Sequence, residues 1–217
     1  MLSPKENFLL AAVEHKKPEW VPNEMSDVIM YGGAFESFEN GPAGGGLDGF
    51  GVTWHATESA GGQPVPGGQP VLDDIEKWED VVKFPNLDEY DWEGSLAMQS
   101  AIMGADRDQR VVEYGMWNGQ FLRLTHLMGF ENALCAMLEE PEACDALFAA
   151  ITDYKIKLVE RIAKHFKPDI ITSYDDIATE RGLFMSPGTY RSLIKPHHKR
   201  LNDAIRANGI VPFIHTC

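Results

Sequence analysis

The sequence is poor in cysteine, in early arginine and in long apolar runs, and each shortage excludes something. Its 217 residues include three cysteines, Cys135, Cys144 and Cys217. Such a set makes no disulfide framework, and free thiols in a reducing, cytoplasmic setting are the expectation. No stretch approaches the roughly 20 apolar residues of a membrane span. The first residues do not read as a secretory leader. Lys and Arg together number 19 against 33 Asp and Glu, a net charge of −14 spread along the chain. Phosphate recognition needs clustered Lys and Arg, so nucleic acid is excluded as a partner and the acidity reads as solubility. The first arginine is Arg107. No glycine-rich turn of the dinucleotide-binding kind joins a strand to a helix.

What is present alternates between helix and strand. Ser3-Pro4-Lys5-Glu6 reads as a capping box that starts a helix ending before Pro18. Trp20–Met25 is expected to be a first short strand. Residues 31–72 are rich in Gly and Pro, with the near-repeat Gly61-Gly62-Gln63-Pro64 and Gly67-Gly68-Gln69-Pro70. They read as an inserted loop region containing one short strand, Phe50–Trp54. Short helices broken by Pro85 fill residues 73–103. From there the pattern is regular: a strand at Arg110–Tyr114, helices from Phe121 and Glu131, and a long helix from Pro141. That helix carries Leu147, Ile151, Tyr154, Leu158 and Ile162 on one stripe. A strand over 168–174, a helix from Ser186-Pro187 with a kink at Pro196, and a last strand over 210–215 follow. Strand–helix alternation points to parallel β/α units, as a barrel or an open doubly wound sheet, in a single domain over residues 1–217.

In parallel β/α folds the chemistry sits where strands end. Three ends carry polar groups. Glu113-Tyr114-Gly115-Met116-Trp117-Asn118 mixes a carboxylate, aromatics and an amide, a lining suited to a flat organic ligand, with Trp54 as a further aromatic. Tyr174-Asp175-Asp176 closes an apolar strand with two carboxylates that face opposite ways. One can enter the site as a proton acceptor while the other caps a loop or pairs with Arg181. His215-Thr216-Cys217 places an imidazole and a thiol on one strand face, a donor pair suited to zinc. A zinc site needs at least one more protein ligand, expected from beyond residue 217. The other six histidines, His15, His55, His126, His165, His197 and His198, read as surface or packing residues.

These pieces resemble the uroporphyrinogen decarboxylase superfamily. The similar stretches are Glu6–Ala12, Val21-Pro22, Phe50–Trp54, Asp169-Ile170-Ile171, Tyr174-Asp175-Asp176, Gly182–Pro187, Lys195–Leu201 and His215-Thr216-Cys217. The resemblance implies a (β/α)8 barrel of which the first half to two-thirds is present. Decarboxylases of the superfamily carry an arginine-rich N-terminal segment, whereas Asn23–Met30 holds none. A substrate with many carboxylates needs such cations. The His-x-Cys strand end instead resembles the zinc-dependent methyltransferase branch. That branch implies zinc on His215 and Cys217, a partner protein carrying a corrinoid (cobalamin) cofactor, and an aryl methyl ether or a thiol as the small substrate. Tetrapyrrole decarboxylation and a non-catalytic, truncated barrel are the alternatives. A homo-oligomer is compatible with all of these.

Overall fold

The computed structural model describes residues 1–32, 38–42, 44–57 and 64–217. Helix α1, Pro4–Ala12, starts on the expected capping box: Ser3 Oγ accepts from Glu6 N–H, and Glu6 reaches back to Ser3 N–H at 2.8 Å. The expected strand at Trp20–Met25 is not formed. Asn23 instead caps a short helix, α2, Glu24–Asp27, by accepting from Met25 N–H. Val21 is 88% exposed, so no core draws this segment into a sheet. The first strand, β1, follows at once over Val28–Gly32.

The Gly- and Pro-rich region is loop in part, but it also forms a small antiparallel sheet. Its strands are β2 (Gly46–Leu47), β3 (Thr53–His55) and β4 (Val65–Pro66). The first half of the glycine-rich near-repeat lies largely outside the described residues. A single 3-10 turn at Ile75–Lys77, then α3 (Trp78–Val81) and α4 (Trp92–Met103), lead to β5, Val111–Met116. Helices α5 (Gln120–Met128), α6 (Phe130–Glu139) and α7 (Pro141–His165) connect it to β6, Ile170–Tyr174. A two-strand ribbon, β7 (Ala178–Thr179) and β8 (Gly182–Leu183), precedes the last helical segment. There Ser186 caps the short α8, Pro187–Thr189. The kink expected at Pro196 takes the form of a π turn over Tyr190–Ile194, where Lys195 N–H donates to Tyr190 O. Proline has no N–H to continue the α pattern, and a widened turn just before it absorbs the mismatch. Helix α9, Lys195–Ala207, then feeds β9, Val211–His215.

The four longer strands form one parallel sheet in the order β1-β5-β6-β9, the architecture of an incomplete β/α barrel. Alternate residues divide its faces. Val112, Tyr114 and Met116 pack toward the helices, together with Leu147, Ile151, Leu158 and Ile162 of the α7 stripe. Val28, Val111 and Ile170 line the opposite face near the strand starts. Phe8 and Leu9 of α1 close that end. Lys5 ties α1 there through its 2.7 Å ion pair with Asp169. The other end, where the strands finish, is left for polar groups.

Candidate functional site

At those strand ends lies a cavity of about 290 Å³. Its walls are Trp117 and Asn118 after β5, Tyr174 and Asp176 at the end of β6, and His215 of β9. Trp54 of β3 and Asn40 close one side, and Leu122 and His126 of α5 the other. Five residues expected from sequence therefore meet: Trp54, Trp117, Asn118, Asp176 and His215. Two do not line it. Tyr114 points toward the helices, its ring 4.9 Å from Phe166 in an edge contact. Glu113 sits lower on the inner face of the sheet, buried, and burial raises its carboxyl pKa. Tyr174, named in sequence only as part of its strand end, joins the site, as do His126, read there as a surface or packing residue, and Asn40, which sequence did not single out. A larger cleft, about 440 Å³, lies on the helical flank between residues 84–88 and α7, away from every strand end.

The aromatic walls are built by close approaches. The rings of Trp117 and Tyr174 are 5.8 Å apart, and those of Tyr174 and His215 5.0 Å. A Cβ at Gly41 would fall 2.1 Å from the Trp54 side chain, so only glycine leaves room for that indole. Burial, with the negative charge of Glu113 and others nearby, pushes the Tyr174 phenol up to about 12.

The adjacent aspartates separate as strand alternation requires. Asp175 turns inward and is 1% exposed. Its oxygens accept from Phe121 N–H at 3.2 Å and Leu122 N–H at 2.8 Å, capping α5 from another element. His198 Nε2 lies 2.7 Å from its Oδ2. A Cβ on Gly119 would stand 2.5 Å from the Asp175 side chain, so the approach depends on that glycine. Asp175 is thus occupied within the fold as a positioning residue, not as a group facing the cavity. His198, read from sequence as bland packing, is its buried partner. Arg181 takes no part; its nearest acid is exposed Glu180 at 3.8 Å.

Asp176 faces the other way. One oxygen of Asp176, the imidazole of His215 and the thiol of Cys217 lie within 4.8 Å of one another. Among the described residues, Asp176 Oδ1 is buried with no hydrogen-bond partner; His215 Nε2 stands 3.6 Å away. Burial and the Asp175 charge raise the Asp176 pKa, with His215 opposing. The Asp176 carboxylate in turn raises the Cys217 thiol. Two acids that resist ionisation beside each other, with an unpaired buried oxygen, are what a cation would stabilise. The oxygen, nitrogen and sulfur atoms are a donor set of the kind that zinc takes, with Asp176 as a candidate third donor beside His215 and Cys217.

Behind the cavity lies a buried charged frame. Arg123 Nη1 donates to Asp48 Oδ2 at 2.7 Å, both side chains wholly buried, and Trp54 Nε1 donates to the same oxygen at 3.1 Å. Arg123 Nη2 also donates to Glu39 O at 2.5 Å. Lys155 of α7 pairs with the Glu39 carboxylate and donates to Trp117 O at 2.5 Å. Asn118 Nδ2, on a residue with φ of 55°, donates to Glu39 O and Asn40 Oδ1. His126 packs edge-on to Trp54 at 5.0 Å, and burial with the Arg123 charge pushes its imidazole down to about 3, so it is neutral. Its Nδ1 and Trp117 Nε1 are both buried without a hydrogen-bond partner among the described residues.

The parallel β/α sheet with its polar groups gathered at the strand ends defines a barrel of the enzyme-bearing kind. The chain belongs to the uroporphyrinogen decarboxylase family, whose model, described as uroporphyrinogen decarboxylase (URO-D), matches residues 48–217. Among solved structures, a methyltransferase from Methanosarcina mazei has this fold, with a TM-score of 0.64 at 15% identity. The match covers 100% of this chain and 70% of that one. No curated protein matches the chain. Among the described residues, no helix is long and apolar enough to cross a membrane.

Proposed function

We propose that the protein is a zinc-dependent methyltransferase that moves a methyl group between a small substrate, an aryl methyl ether or a thiol, and a corrinoid held by a partner protein. The carrying observation is the donor set Asp176, His215 and Cys217 at the mouth of the sheet. Zinc bound there supplies Lewis acidity to the substrate oxygen or sulfur that releases or receives the methyl group. The protein's own residues do the rest. Trp54, Trp117 and Tyr174 hold a flat group beside the donors and keep water from it. Asp175 fixes α5, and with it Leu122 and His126 in the wall, by accepting from the first backbone N–H groups of that helix. The likeness to the Methanosarcina mazei methyltransferase supports this reading at the level of fold. Decarboxylation of a tetrapyrrole fits less well. Among the described residues the cavity wall offers no Lys or Arg for carboxylates, and Arg123 and Lys155 are held by Asp48 and Glu39.

The test is metal content by elemental analysis beside a methyl-transfer assay followed by cobalamin absorbance. Cys217→Ser and His215→Ala are expected to lose most zinc and nearly all transfer while keeping the fold. Asp176→Asn is expected to bind zinc more weakly. Because Cys217 ligates as thiolate and its thiol is held protonated by Asp176, zinc affinity should fall as pH drops. Full transfer by a wild-type protein free of metal would end the zinc reading.

A further inference from the structure

Resting on that reading of the site, we propose that the β7–β8 ribbon and the start of the helix after it form the docking face for the protein that carries the corrinoid, and that this partner meets them with an acidic surface. The position of the face follows from the backbone. Ala178 N–H, at the base of the ribbon, donates to Thr216 O at 3.2 Å, between the donors His215 and Cys217. Phe184 N–H, where the ribbon ends, donates at 3.0 Å to the carbonyl of Ile177, the residue after Asp176. The Phe184 ring lies 6.0 Å from that of buried Phe121 on α5, next to Leu122 of the cavity wall. The ribbon therefore stands on the rim of the cavity, beside the donor set. A carrier bringing its cofactor to that opening meets this rim.

The rim is apolar at its centre. Leu183, Phe184 and Phe130 are each more than a third exposed, and the rings of Phe130 and Phe184 meet edge-on with 4.9 Å between centroids. Single exposed apolar residues are ordinary, but aromatic side chains exposed together beside a site mark a contact surface. Arginine is the cation that protein interfaces favour around such aromatics.

Charge identifies the occupant. The chain has 33 Asp and Glu against 19 Lys and Arg, yet residues 181–202 contain Arg181, Arg191, Lys195, Lys199 and Arg200 and no acid. All five are exposed. Lys199 and Arg200 are paired with Asp203 and Asp153, and Arg181 only loosely with Glu180 at 3.8 Å. Arg191 and Lys195 have no ion pair among the described residues. At physiological salt, charges act over only about 8 Å, so a partner feels the face it meets rather than the net charge. An acidic protein is repelled by most of this surface and attracted here, which turns it toward the cavity mouth in one orientation. A nucleic acid or an anionic membrane presents phosphates over a wider area and would meet the acidic surface as well.

Surface plasmon resonance with a purified corrinoid protein of the same organism measures docking without turnover. Wild type is expected to bind it with an association rate that falls as salt is raised. Arg191→Glu with Lys195→Glu changes two exposed side chains outside the cavity and should slow association at low salt about tenfold. Phe184→Ala should speed dissociation about tenfold. Leu183→Ser probes the same apolar centre if Phe184→Ala does not fold. Methyl transfer with free cobalamin, which needs no docking, should be unchanged in the charge-reversed variant, while transfer with the corrinoid protein falls along with its association rate. Unchanged association in that variant, or a wild type that does not bind the corrinoid protein, overturns the proposal. So does charge-dependent binding to phosphatidylglycerol vesicles in place of the protein. Salt-dependent docking that the variants weaken, in a protein that transfers no methyl group, leaves the proposal standing and removes the transfer reading instead.

Discussion

Asp175 and Asp176 are neighbours in sequence, yet one holds a helix and the other faces the cavity, because side chains alternate along an extended strand end. The sequence shows the pair and the alternation, but not which member turns inward. That choice is made by α5, whose free N–H groups meet Asp175. The partner His198 carries a signal that was available. It falls on the α9 stripe of Ile194, Leu201 and Ile205, so periodicity alone marks it as inward-facing. His126 has no such mark, because its meaning comes from a cavity made by five separate segments. Its chemistry gives a prediction. The imidazole has its ordinary pKa near 6.5 when unfolded and about 3 when folded, so between those values the unfolded chain binds the extra proton. Stability is therefore present above about pH 6.5 and lost as pH falls toward 3, by at most about 1.4 kcal/mol per pH unit for one proton. Urea titrations across this range should show a shallower acid limb for His126→Asn than for wild type. Identical limbs would mean that the imidazole is not buried neutral.

At the level of elements, apolar runs and proline punctuation made β5, β6, β9 and the α7 helix legible, since each is long and packed on one face. The first strand was misplaced because Trp20-Val21-Pro22 has a strand-like composition but no core to face, while Asn23 and Asp27 hold the next residues in a capped turn. The frame joining α5, α7 and the segment around Glu39 was invisible to sequence. Its ion pairs span residues far apart, and charged side chains are ordinarily expected outside. This frame predicts strong coupling. Lys155→Met leaves the buried Glu39 carboxylate unpaired and should cost about 3–5 kcal/mol. Adding Glu39→Gln should return part of that loss. Urea midpoints of the two single variants and the double variant give the coupling, and additivity within about 0.5 kcal/mol would show that the pair does not act as one unit.

In the whole molecule, β1 and β9 are the two edges of the four-stranded sheet. Ile214 on β9 is 42% exposed, and an apolar, unpaired edge invites pairing with another copy. The 217-residue protein is expected to associate at micromolar concentration, and Ile214→Lys should shift it toward monomer. Light scattering after size-exclusion chromatography checks this; a monodisperse wild-type monomer would refute it. The same scale of view gives the charged frame a different significance. Trp54 hangs from Asp48 and Arg123, and Trp117 from Lys155 and Glu39, while Arg123 and Lys155 both hold Glu39. Two walls of the cavity are therefore tied, one through the Trp54 indole and the other through the Trp117 backbone carbonyl, to one buried frame. Changes at the lining residues would alter what touches a guest, whereas changes at residues 39, 48, 123 or 155 would alter where those two walls stand. New substrate sizes should accordingly be reached through substitutions that never meet the substrate.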